Sequence, residues 1–105
     1  MFDKEIVKKV IFDTIPAGLI EQVMVFGSRA RNEETGDSDT DICIILKDQL
    51  PPEDMKRYRI ALNKAFAFDY RMATDIIIKS NYIYTRYKGV IGGLEHAIAT
   101  EGIPL

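Results

Sequence analysis

The stretch Gly27 to Ile45, reading GSRARNEETGDSDTDICII, constrains this chain more than any other part of it. A polar segment runs straight into five consecutive apolar residues, Ile42 to Leu46. A continuous apolar run of that length fits a strand buried on both faces. Just before it stand Asp39 and Asp41, one residue apart. On an extended strand both side chains leave the same face, about 7 Å apart along the chain. Carboxylates so placed repel each other unless positive charge sits between them. Two aspartates near a turn are also common as solvated junction residues. The buried run that follows Asp41 favours the first reading, because a carboxylate at a buried strand's end needs a partner. With no histidine or cysteine cluster beside them, oxygen ligands of this kind suit Mg2+, or Mn2+, rather than zinc.

Upstream, Leu19 to Phe26 is a second apolar run and reads as a strand that Gly27 stops. Glycine lets a backbone approach a phosphate closely. A helical turn beginning at Ser28 would aim N–H groups and a hydroxyl at that phosphate. Gly27-Ser28 alone fits a simple strand-ending turn equally well. Arg29 and Arg31 follow, as phosphate-neutralising cations or as solvated partners of Glu33 and Glu34. Asp75 lies in a third strand-like segment, 72–78, and is the candidate third carboxylate. Pairing that strand beside Asp39 and Asp41 would complete a three-carboxylate cluster. A solvated edge position is the competing reading for Asp75.

The remaining pattern supplies helices around these strands. Val7, Val10, Ile11 and Ile15 recur at helical spacing over residues 3–15, with Lys4, Lys8 and Lys9 on the other side. After the break at Leu50-Pro51-Pro52, a helix to about Phe68 places Met55, Tyr58, Leu62, Ala65 and Phe66 on one face. Its other face carries Lys56, Arg57, Arg59 and Lys64. A last helical stretch covers about Ile91 to Thr100 and is closed by Gly102 and Pro104. The pattern gives an α/β (α+β) fold, a short mixed sheet of three or more strands packed with helices, in one domain over residues 1–105.

At 105 residues the chain is expected to build a single core. Its net charge of −2 argues against nucleic-acid or membrane binding by bulk attraction. The N-terminus mixes both charge signs, so a signal peptide is not expected, and no apolar run is of membrane-spanning length. The one cysteine, Cys43, sits inside a buried strand pattern; a reducing, cytoplasmic setting is the expectation. His96, the one histidine, is expected at the surface or half-buried on the last helix.

Taken together, Gly27-Ser28, ten intervening residues and Asp39-Thr40-Asp41 resemble the GS-x10-DxD motif of minimal nucleotidyltransferases, within the DNA polymerase beta-like superfamily. VMVFGSRAR and DSDTDICII are similar to the fuller signature, and AIATEGIPL resembles the family's last helix and closing segment. Asn32 departs from it, standing where the family usually has glycine. The resemblance implies that Asp39, Asp41 and Asp75 are catalytic and hold two Mg2+ ions. It implies that Gly27 and Ser28 hold the triphosphate of ATP or another NTP, with Arg29 and Arg31 as further nucleotide-binding candidates. Attack on the α-phosphorus would then transfer a nucleoside monophosphate to a hydroxyl and release pyrophosphate.

The resemblance also implies a partner: stand-alone proteins of this kind are often antitoxins of the MntA type, encoded beside a small all-helical HEPN protein that they bind and in some cases modify by transferring AMP to a tyrosine. That is the leading expectation for the partner here. The segment Tyr82, Tyr84, Tyr87 with Lys79, Arg86 and Lys88 is a candidate partner-facing surface, or else a core-facing helix with basic ends. Two alternatives stay open: a non-catalytic binding module, and nucleotidyl transfer to a small molecule or an RNA end. Homo-oligomers and hetero-oligomers are both compatible with the sequence.

Overall fold

A computed structural model describes residues 4–26, 40–71, 74–90, 93, 96, 98–99 and 102–105. Helix α1 spans Lys4–Thr14 and a 3-10 turn Ala17–Leu19 leads into strand β1, Ile20–Phe26. Strand β2 is Thr40–Leu46, helix α2 is Pro52–Lys64, and a π-helical turn, Ala65–Asp69, continues it. Strand β3, Thr74–Ser80, runs directly into helix α3, Asn81–Tyr87. A two-residue strand, β4, spans Ile103–Pro104.

The strands form one mixed sheet in the order β3-β2-β1-β4. β1 pairs antiparallel with both β2 and β4, whereas β2 and β3 are parallel. A parallel pair needs a crossover, and α2 with its π turn supplies it. The sequence favours this arrangement locally. Pro52 opens α2, where its missing N–H costs nothing, and Glu53 and Asp54 fall in the first turn. An extra residue at Glu21 produces a bulge, since Ile20 pairs with Leu46 but Gln22 with Ile45.

Alternation along β2 sorts its side chains between two cores. Ile42, Ile44 and Leu46 join Val23, Val25 and Ile76 against Val7, Val10 and Ile11 of α1 and Leu62 and Phe66 of the crossover helix. Cys43 and Ile45 join Met24, Tyr84 and Ile98 on the opposite face, with Ile77 packed beside them. The run Ile42 to Leu46 is therefore buried on both faces, as its composition predicts.

Several boundaries differ from the sequence reading. The helix expected to reach Phe68 keeps α geometry to Lys64 and then widens over Ala65–Asp69. That turn keeps Phe66 fully buried while Phe68 is 75% exposed. The third strand ends two residues later than expected, at Ser80; Met72 and Ala73, the first two residues of the expected strand, lie outside the described residues. Leu19 belongs to the 3-10 turn rather than to β1. β4 was not foreseen, because two residues ending in proline carry no strand signal. Its place is fixed by pairing with Met24 and Val25. The N–H of Leu105 also donates to the Val23 carbonyl at 2.9 Å. Gly102 makes that return feasible: its N–H donates to the Ile98 carbonyl at 2.8 Å. A β-carbon there would lie 2.4 Å from the same carbonyl oxygen, so only glycine fits.

Candidate active site

Register places two of the three candidate carboxylates side by side. Asp41 in β2 and Asp75 in β3 are Cα partners in the parallel ladder. Neighbouring strands lie about 4.8 Å apart, and paired residues of a parallel ladder direct their side chains to the same face. That face is the one carrying Cys43, Ile45 and Ile77, because Asp41 and Asp75 share their parity. Asp41 is half-buried and engaged with its surroundings, and Asp75 is exposed. Each is the second residue of its strand, so together they form an acidic rim at one end of the sheet.

A third strand reaches the same row. Phe26, the last residue of β1, is the register partner of Asp41. The residue after Phe26 in the sequence is Gly27. Hence β1 ends beside the strands that carry the two carboxylates, one residue before Gly27 in the sequence. Gly27, Ser28, Arg29, Arg31 and Asp39 themselves lie outside the described residues. Two carboxylates are consequently seen at this rim, and no group of three or more metal-ligating side chains occurs among the described residues. A half-buried and an exposed carboxylate on neighbouring strands are hard oxygen donors of the kind that magnesium or manganese takes.

The crossover helix braces the β3 side of the rim. The hydroxyl of Thr74, next to Asp75, lies 3.5 Å from the Asn63 side-chain oxygen of α2. Arg71, three residues before Thr74, has a positive φ of 52°. None of these three residues was singled out by sequence reasoning. Arginine in a left-handed turn leaves no sequence signal of the kind glycine or asparagine would.

The tyrosine-rich segment divides in two. Ser80 is buried and caps α3, its hydroxyl accepting from the Ile83 N–H at 3.3 Å. The helix then turns Tyr84 inward, 9% exposed, against Cys43 and Ile45. Tyr82 and Tyr87 face outward, 65% and 41% exposed. The candidate partner surface thus loses Tyr84 to the core and keeps the other two tyrosines. Helical spacing could have shown this, since Tyr82 and Arg86 are four apart and Tyr84 falls between them. Cys43 is fully buried, as expected. His96 is half-buried, with Nδ1 3.0 Å from the Lys88 carbonyl oxygen, which requires Nδ1–H to donate.

Burial raises the Tyr84 phenol above its ordinary value of 10.0, with Cys43 adding to the effect. A raised folded-state value means that the native protein holds this proton more tightly than the unfolded chain. The associated stability is complete below pH 10 and is lost as pH rises through the folded-state value. Tyr84→Phe is therefore expected to reduce the alkaline loss of stability. Urea midpoints of both proteins at pH 8 and at about pH 10.5 check this; an identical drop in the two would contradict it.

A mixed sheet with carboxylates on the adjacent starts of two parallel strands, and helices on both faces, is the polymerase beta-like nucleotidyltransferase fold. Residues 8–87 match the family model described as polymerase beta, nucleotidyltransferase, and the chain belongs to that family. Among solved structures, it is similar to a toxin–antitoxin crystal structure with AMP-PNP, at 19% identity and a TM-score of 0.71, over 98% of this chain and 72% of that one. It is also similar to a chain of the tri-AMPylated Shewanella oneidensis HEPN toxin in complex with MNT antitoxin. That match has 17% identity and a TM-score of 0.59, over 96% of this chain and 66% of the other. A protein described as a minimal nucleotidyltransferase gives 24% identity and a TM-score of 0.61, over 99% of this chain and 97% of its own. At these identities the likeness establishes the fold. No curated protein matches the chain. No helix among the described residues is long and apolar enough to cross a membrane.

Proposed function

We propose that residues 1–105 form one nucleotidyltransferase domain that moves a nucleoside monophosphate, AMP from ATP, onto a hydroxyl group and releases pyrophosphate. The observation that carries this reading is the row Phe26, Asp41 and Asp75 across three adjacent strands. It joins the end that enters Gly27-Ser28 to two carboxylates on one face. Asp39, two residues before Asp41, is assigned as the third carboxylate. Asp39, Asp41 and Asp75 would hold divalent ions, magnesium or manganese. Once bound, such ions would neutralise charge at the attacking and leaving oxygens.

The chain's own contribution is positioning. Gly27 and Ser28 bind the triphosphate, with Arg29 and Arg31 as its further cationic contacts. The acceptor oxygen attacks the α-phosphorus in line, and the bond from that phosphorus to the bridging oxygen of pyrophosphate breaks. Asp75, exposed on β3, faces the approaching hydroxyl and helps to draw off its proton. Holding both reactants in this geometry supplies much of the rate.

For the acceptor, the similar structures support a protein. One contains AMP-PNP and another a tri-AMPylated HEPN toxin with its antitoxin. We read this chain as the antitoxin member of such a pair, modifying a tyrosine hydroxyl of a small helical HEPN-type partner. Incubation with magnesium, α-labelled ATP and the product of the adjacent reading frame tests it. Label should appear on the partner with the wild type and be absent with Asp39→Ala/Asp41→Ala. A partner that is neutralised by both forms without label would sink the catalytic reading.

A further inference from the structure

We propose that the outer face of α3, centred on Tyr82, Arg86 and Tyr87, is the surface that docks the protein acceptor through an acidic patch on that acceptor. The inference rests on the reading of the acceptor as a protein. Its first support is position. Tyr84 on the inner side of α3 packs against Cys43 and Ile45, the face of the sheet that also carries Asp41 and Asp75. α1 and α2 cover the opposite face. A partner seated on α2 would have the whole sheet between itself and the carboxylates. One seated on α3 shares their side. From Asp75 to Ser80, where α3 starts, is five strand residues, about 17 Å. A docked domain spans that distance easily.

The second support is charge. Residues 76–94 contain no aspartate or glutamate but three cations, Lys79, Arg86 and Lys88, in a chain whose net charge is −2. Lys47, at the end of β2, lines a shallow groove with Asn81, Tyr82, Thr85 and Arg86. An acidic surface complements this face. A second copy docked symmetrically would bring two faces of the same positive charge together, which like charge disfavours.

The third support is how these side chains are held. Arg86 donates to the Tyr82 hydroxyl at 2.7 Å. Its guanidinium lies 5.9 Å from the Tyr82 ring centre and 5.7 Å from that of Tyr87. An arginine braced between two exposed tyrosines is pre-ordered, so little rotamer freedom remains to be lost on binding. Tyrosine and arginine are also the residues in which interface binding energy concentrates. Val90, 52% exposed, extends the apolar edge of the patch.

The test uses the purified product of the adjacent reading frame and three exposed-site variants, Arg86→Glu, Tyr82→Ala and Lys56→Glu/Lys64→Glu. The last pair lies on α2 and serves as the control. We expect Arg86→Glu and Tyr82→Ala each to weaken partner binding about tenfold or more. KM for the partner should rise while kcat and the affinity for a fluorescent ATP analogue stay within about twofold. The α2 pair should bind like wild type. If the partner binds wild type and both α3 variants equally, the docking surface is wrong and the acceptor reading survives. If wild type binds no partner, both fall. If Arg86→Glu instead abolishes binding of a single-stranded oligoribonucleotide and leaves the partner unaffected, the face belongs to RNA and the proposal is overturned.

Discussion

Asp75→Asn is expected to bind nucleotide about as well as wild type while losing roughly 10³-fold in transfer rate, about 4 kcal/mol of barrier. The separation follows from where the residue sits. Asp75 belongs to β3, on the side of the row away from β1 and the Gly27-Ser28 entry. Nucleotide contacts are assigned to the β1–β2 side, whereas Asp75 faces the acceptor. The replacement is isosteric and the side chain is exposed, so folding should be preserved. It removes only the negative charge that would draw the acceptor proton and help hold an ion. Single-turnover transfer with α-labelled ATP, set beside equilibrium binding of an ATP analogue, measures both quantities. Equal losses in affinity and rate would move Asp75 into the nucleotide subsite and break the division of labour proposed for the three carboxylates.

Phe66→Ala should produce the largest loss of stability among single core changes, about 3–5 kcal/mol. Phe66 is fully buried within the π turn and belongs to the larger core, with α1, β1 and β2 residues around it. Truncation leaves a cavity where the crossover meets the sheet, and typical domains have only about 5–15 kcal/mol in total. The urea midpoint should fall by roughly 2 M. Phe68→Ala, two residues on and 75% exposed, should leave it within about 0.3 M. If both variants unfolded alike, the π turn would not sort these two phenylalanines as described.

The contrast between Phe66 and Phe68 also shows where sequence reading reached its limit. The apolar run Ile42 to Leu46 is legible as a doubly covered strand because burial on both faces requires unbroken hydrophobicity. α1 and most of α2 are legible for the complementary reason, a 3.6-residue stripe. The π turn is not, since a widened turn changes which face a residue occupies without changing composition. β4 escapes notice because its pairing depends on Met24 and Val25, far away in sequence. At the site, Asp41 and Asp75 were separately readable as candidates. Their adjacency depended on β2 and β3 being parallel and in a particular register, which long-range packing decides. The tyrosine segment was readable as a partner-facing surface or as a core-facing helix, and the inward turn of Tyr84 needed the position of the Ser80 cap.

The parallel pairing of β2 with β3 has a consequence for the order in which the protein matures. Asp41 and Asp75 are 34 positions apart, and their neighbouring strands meet only after α2 has folded back across the sheet. The β1–β2 pair can close earlier, with a much shorter loop between its ends. During synthesis, the half assigned to nucleotide can therefore form before the carboxylate assigned to the acceptor arrives. On the proposed function, transfer would begin only once the crossover has brought Asp75 beside Asp41.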